Sequence, residues 1–307
     1  MKRVQFKNRF FVIVLFLVVS SVNSQSDSQY TQYMYNTSMV NPGYAGTEEV
    51  LKVSLLHRSQ WVGMDGSPTT QTLSIENSFK DRVGGSLNLS KDAIGPRSEY
   101  IFDVNLSYRI QLTSKAKLSF GLKGGGRMLD VNLNKGNLKG NQSSNNNNQL
   151  DNDFLPTLGA GLYFYTDKSY FGISSPNLLE NNHYRGEEGY KYLADRHLYL
   201  LAGHVFQLSD SFKFKPAGLI KVVEGAPISI DFSANFMYQD CLILGAAYRN
   251  NAAVSALVGL YITKKIFIGY AYDYDIDIKQ NMTGGSHEIF LGFRFPTNKS
   301  FESPRFF

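Results

Sequence analysis

The sequence predicts an all-β protein: a transmembrane antiparallel β-barrel of the outer-membrane type, with about 14 strands. Three observations carry that prediction. From Leu51 onward apolar and polar residues alternate with a period of two, the period of a strand with two unlike faces. Most alternating segments run near the ~9–11 residues of a tilted membrane-spanning strand, against ~5–6 in a typical soluble strand. Tyrosines gather near segment ends, where a phenol reaches the headgroup layer while its ring stays in lipid.

Composition removes the alternatives. The 307 residues contain 22 Phe, 19 Tyr and 1 Trp, too many aromatics for a solvated coil. The one long apolar run, Phe10 to Val19, is about half of the ~20 residues a spanning helix needs. A single cysteine, Cys241, excludes a disulfide scaffold or a multi-cysteine metal site. Mean hydropathy is −0.23 although 43% of residues are hydrophobic, as expected when one strand face meets lipid and the other a polar lumen.

Residues 1–24 read as a signal peptide. Lys2, Arg3, Lys7 and Arg9 precede the apolar core, and small residues at Val22 and Ser24 place the cut after Ser24. Losing four cations and no acid lowers the formal charge from +5 to +1, so the basic pI is no argument for nucleic acid. The expected destination is the bacterial outer membrane, with lipid as the first partner.

Residues 25–48 lack a period and carry the turn signals Asn41-Pro42-Gly43 and Ala45-Gly46. They form an amino-terminal plug or docking segment, and 49–307 form the barrel. Strands are expected at 51–61, 69–79, 81–91, 97–110, 115–128, 155–165, 168–175, 195–208, 211–222, 227–238, 241–249, 252–263, 264–275 and 286–296. Each follows from alternation, as in Tyr100, Phe102, Val104, Leu106 and Tyr108 against Asp103, Asn105, Ser107 and Arg109. Tyr100, Tyr108, Tyr163, Tyr165, Tyr238, Tyr248, Tyr270, Tyr272 and Tyr274 are assigned to the lipid face. Tight turns at Ser209-Asp210, Gln239-Asp240 and Asn250-Asn251 contrast with long loops at 129–154 and 176–194, the two ends of an outer-membrane barrel. An unpaired backbone amide costs several kcal/mol in hydrocarbon, so the sheet must close.

Residues 29–36, Gln-Tyr-Thr-Gln-Tyr-Met-Tyr-Asn, precede Asn41-Pro42-Gly43-Tyr44-Ala45-Gly46. Later come Arg58-Ser59-Gln60-Trp61, Lys91-Asp92-Ala93-Ile94-Gly95-Pro96, a 170–179 segment from Tyr170 to Leu179, Arg196-His197 and Ser303-Pro304-Arg305-Phe306-Phe307. This ordered set resembles the PorP/SprF family of type IX secretion system outer-membrane proteins across essentially the whole mature chain. Ser28 and Gly43 depart from the family's usual proline and alanine. The resemblance implies an accessory barrel in a gliding or protein-secreting bacterium of the Bacteroidetes type. It supports export or surface attachment of a secreted adhesin-like substrate, through that substrate's carboxy-terminal domain, or contacts periplasmic secretion machinery.

Candidate partner-binding residues are Tyr30, Gln32, Tyr33, Tyr35, Asn36, Asn41, Pro42 and Tyr44 in the opening segment, with Arg185 and Glu187 in a long loop. Large amphipathic rings beside turn residues suit either docking or packing inside the barrel. Candidate lumen residues are Asp103, Arg109, Lys123, Arg127, Asp231, Arg249, Asp273, Asp275, Glu288 and Arg294, five of each sign. Balanced signs favour a self-neutralising network over an ion-selective path. Arg58, Gln60 and Trp61 are read as a strand end with Trp61 as an interface anchor. Gly124-Gly125-Gly126 follows no phosphate-loop pattern and reads as room inside a strand. No serine elbow or close histidine pair is present, so no enzyme activity, cofactor or metal is expected. The competing reading is a passive channel or hydrophobic-ligand transporter.

Overall fold

The computed structural model describes residues 29–132, 149–179, 181–185, 190–194, 196–224, 226–276 and 284–295. The expected leader, the cut expected after Ser24 and the terminal Phe307 lie outside them. Strands β1 (Leu51–Ser59), β2 (Thr69–Lys80), β3 (Val83–Ile94), β4 (Arg97–Gln111), β5 (Lys117–Asn132), β6 (Gln149–Tyr165) and β7 (Ser169–Ser175) follow one another as neighbours. The pair β8 (Asn181–Arg185) and β9 (Tyr190–Ala194) forms a separate two-stranded sheet. The wall resumes with β10 (His197–His204), its short continuation β11 (Phe206–Gln207), β12 (Phe212–Val223), β13 (Ser229–Tyr238), β14 (Leu242–Arg249), β15 (Ala253–Thr263), β16 (Ile266–Asp275) and β17 (Ser286–Phe295). β7 pairs with β10, β10 with β12, and β17 with β1, all antiparallel. Counting β10 and β11 as one, the wall is a closed barrel of 14 strands. Closure leaves the wall no free edge.

Alternation sets the faces. On β4 the exposed row is Tyr100, Phe102, Val104, Leu106 and Tyr108, while Glu99, Asp103, Asn105, Ser107 and Arg109 are buried inside. The same phase runs through β13 and β15–β17, where Phe232, Phe236, Val254, Val258, Ile268 and Ile289 face out. So continuous an apolar belt suits lipid and not water.

Several details depart from the sequence expectation. Tyr163 and Tyr165 are buried inside instead of lying in the outer girdle. Both faces of β6 are apolar, so its composition gives no phase, and Phe154, Leu158, Leu162 and Phe164 take the lipid side. β5 and β6 climb into the segment expected as a 129–154 loop, and the 176–194 loop holds the β8–β9 hairpin. The Asn250-Asn251 turn shares a rim with the long loops, opposite Ser209-Asp210 and Gln239-Asp240. Room at Gly126 is taken outside by the Phe154 ring, which an added Cβ would meet at 2.1 Å.

Short turns at 81–82, 112–116, 166–168, 208–211, 239–241 and 264–265 define one rim, together with the start of β1. The ends of β1, β5, β7 and β16, which lead into the longer connections, lie at the other, the long-loop rim.

Candidate functional site

The lumen is the site, and the chain's own opening segment fills it. Three 3₁₀ turns, Tyr33–Tyr35, Thr37–Met39 and Pro42–Tyr44, fold residues 31–47 into a compact rod. Asn41 turns the chain: its Oδ1 accepts the Gly43 amide at 2.8 Å, and Pro42 follows with a φ already set for the turn. The rod begins near the long-loop rim, where Gln29 meets Asp231, and enters β1 at the short-turn rim.

Each end is fixed by charge. Near the long-loop rim, Arg58 Nη1 lies 2.6 Å from Asp273 and 3.2 Å from Glu288. Those carboxylates also accept the Thr31 amide at 3.0 Å, the Gln32 amide at 2.8 Å and the Thr31 hydroxyl at 2.8 Å. Arg249 pairs with Asp231 at 2.7 Å. Near the short-turn rim, Glu48 accepts from Lys52 at 2.7 Å, Tyr44 at 2.8 Å and Arg294 at 2.9 Å. Burial disfavours the charged carboxylate of Glu48, but Arg294 and Lys52 outweigh it and hold the group well below the usual carboxylate range. Burial pushes the Tyr44 phenol up, and neighbouring Glu48 adds to the shift.

Between these clusters the wall is shaped to the rod. An added Cβ at Gly121 would meet Pro42 C and Gly43 N at 2.2 Å; at Gly84, Ala45 O at 2.3 Å. At Gly161 it would strike Asn41 Oδ1 at 2.3 Å, and at Gly269 Gln32 Oε1 at 2.3 Å. Glycine is therefore required where wall and segment touch. Direct bonds complete the seat: Asn41 to Leu162 O at 3.0 Å, Ser174 to Val40 O at 2.7 Å, Asn105 to Ser38 O at 2.8 Å and Ser107 to Ala45 O at 2.6 Å. Tyr35 packs on Phe267 and Phe290, and Tyr44 lies edge-on to Tyr163 at 5.3 Å. Beside Met34, Tyr35 and Phe267 lies an enclosed gap of about 10 Å³, near the minimum for one water. The larger hollow of about 850 Å³ lies mostly on the lipid side of the wall, against Leu106, Leu122 and Leu162.

Of the candidate partner residues, Gln32, Tyr33, Tyr35, Asn36, Asn41, Pro42 and Tyr44 are buried against the wall, and Tyr30 packs at its edge. None of those seven is offered at an outer surface. The Arg185 side chain and Glu187 lie outside what is described. The lumen candidates face inward together: Lys123 pairs with Asp103 at 2.6 Å and Arg127 with Glu99 at 3.3 Å, while Arg109 bonds Gly46 O at 3.0 Å. Arg249, Asp275 and Arg294 are half-buried there. Sequence reasoning missed Arg58, read as a strand end, although it shares parity with Lys52 and Ser54. It also missed Lys52, Glu48 and Glu76. Trp61 stands exposed with a φ of 49° in the 60–68 connection.

A closed 14-stranded wall with an apolar belt and a charge-neutralised, self-filled lumen defines an outer-membrane β-barrel plugged by its own amino-terminal segment. A family model described as type IX secretion system membrane protein PorP/SprF matches residues 22–293, and the chain belongs to that family. No curated protein matches the sequence. Among solved structures, it is similar to the CymD monoaromatic hydrocarbon channel at 12% identity and TM-score 0.49, covering 89% of this chain and 95% of that one. Similarity to the P. putida toluene transporter TodX is at 10% and 0.48, covering 86% and 95%. The Acinetobacter baumannii outer membrane protein Omp33 matches at 10% and 0.46, covering 81% and 100%. At such scores these three carry no inference about cargo.

Proposed function

We propose that this barrel is a non-enzymatic docking component of type IX secretion. It supports export or surface attachment of one secreted partner, or holds the periplasmic machinery beside it. The observation that carries this reading is the filled lumen. Both ends of the segment are tied by ion pairs and its middle by glycine-lined contact, so the working surfaces are the rims. Holding a partner requires binding and no bond-making step, which suits a lumen whose charges are spent on one another.

The test is cross-linked affinity purification of the full chain from native outer membrane, with identification of what is retained. A secreted protein held through its carboxy-terminal domain, or a secretion-machinery subunit, is the expected result; retention of neither refutes the proposal. A passive channel or hydrophobic-ligand transporter would need the segment to leave its seat. Bound lipid in place of protein would favour that reading. Deleting residues 25–47 separates the segment's roles. A folded barrel that no longer supports export assigns it to docking, whereas loss of the barrel makes it structural filling.

A further inference from the structure

The apolar belt has a polar break on three adjacent strands. Register sets Lys91 of β3 opposite Gln71 of β2, and Gln71 opposite His57 of β1. All three residues are exposed on the outer face. On either side the same row turns apolar or aromatic, as Tyr100, Met128 and Phe154 one way and Ile289 and Tyr270 the other. One step toward the short-turn rim, the same three strands carry Leu89, Leu73 and Leu55. Two outer hollows of about 440 and 400 Å³ meet at the break. Leu55 and Gln71 line both, Lys91 and Tyr100 edge the larger, and His57 edges the smaller.

Lys91 sets the sign of what sits there. Lys52, Arg58, Arg109, Lys123, Lys215 and Lys221 are buried inside the barrel, whereas Lys91 is exposed outside it. Its ammonium lies 5.3 Å from the centre of the Tyr100 ring and forms no ion pair among the described residues. Adjacent Asp92 turns inward, where it accepts from Thr70 at 2.6 Å. A cation on a lipid-facing strand is costly away from the headgroup layer, so the position calls for an anion. The polar residues lie two to three residues inside the long-loop ends of their strands, ~7–10 Å at ~3.4 Å per residue. Longer loops face the exterior in outer-membrane barrels, which puts the break at the outer leaflet. A phosphate accepts from the Lys91 ammonium, the Gln71 amide and a His57 ring N–H. Free phosphate would use the polar row alone, but a lipid also fills the leucine-lined hollows with its acyl chains. We infer that β1–β3 carry an outer-leaflet site for a phosphate-bearing lipid, its headgroup on Lys91, Gln71 and His57 and its chains in the two hollows.

Native mass spectrometry of the full chain, stripped of lipid in mild detergent and titrated with monophosphorylated lipid A or its dephosphorylated form, tests this. The phosphorylated form is expected to bind at least about tenfold more tightly. Lys91→Gln should remove about tenfold of that affinity while leaving the dephosphorylated form unchanged. Lys115→Gln, an exposed cation in the 112–116 turn of the opposite rim, should change neither. Leu55→Trp, which crowds both hollows, should weaken both forms alike. Heat-modified gel mobility checks that each variant is folded. Equal binding of the two forms, no effect of Lys91→Gln, displacement by inorganic phosphate at the same concentration, or pairing of two chains in place of lipid overturns the inference.

Discussion

Gly121→Ala is expected to unseat the opening segment without damaging the barrel. The new methyl would lie 2.2 Å from Pro42 C and Gly43 N, backbone atoms that no rotamer change can move. Ordinary contact begins near 3.4 Å, so segment and strand must separate by more than about 1 Å. That shift breaks the Asn41–Leu162 bond, the Ser174–Val40 bond and the Tyr44–Tyr163 edge contact. At about 1 kcal/mol for each bond and for the ring pair, roughly 3 kcal/mol of seating is lost. One tenfold change per 1.4 kcal/mol converts this to about 100-fold more frequent opening. The assay is thiol labelling of Ser38→Cys, a fully buried position, in a Cys241→Ser background. Gly124→Ala, three residues along β5 with nothing within 4 Å of its added Cβ, is the control and is expected to label like the parent. Heat-modified gel mobility checks that each barrel is folded. If Gly121→Ala labels no faster than Gly124→Ala, the steric account of the glycine-lined seat is wrong.

Other outcomes follow from the two charge clusters and the long-loop rim. Arg58→Met strands Asp273 and Glu288 without their buried cation and is expected to cost about 3–5 kcal/mol, read as a lower unfolding midpoint in micelles. Adding Asp273→Asn and Glu288→Gln is expected to restore most of that loss, and absence of rescue would deny the cluster its coupling. Because the folded pKa of Glu48 is depressed, its stabilisation is present above the ordinary carboxylate pKa of about 4.3 and is lost as pH falls through the folded value. The melting temperature should therefore drop on acidification below about pH 4, and Glu48→Gln should be less stable at neutral pH with a flatter acid limb. Replacing residues 181–194 by a flexible linker should leave the barrel folded while partner retention in cross-linked membranes falls.

Most of the wall was legible because two-residue alternation carries both strand and phase wherever one face is polar, as in β4 with Asp103 and Arg109 against Phe102 and Tyr108. It failed on β6, where Leu155, Tyr163 and Tyr165 alternate with Leu158, Leu162 and Phe164; two apolar faces give no phase, and only Thr157 and the glycines hint at the inner one. Arg58 was illegible for another reason. Next to Gln60 and Trp61 it resembles a strand terminus, and its meaning comes from Asp273 and Glu288, more than two hundred residues away in sequence. The opening segment has no period because its 3₁₀ turns are too short to show one. Its place in the lumen is written in glycines of matching parity on β3, β5, β6, β7 and β16, a complementarity that exists only after closure.

Single-channel recording of the purified full chain in a planar bilayer tests most directly the claim that this barrel works by holding rather than by passing solutes. With the opening segment seated, no steady ionic conductance is predicted. A large, stable conductance from the unmodified chain would contradict the sealed lumen and the docking function built on it.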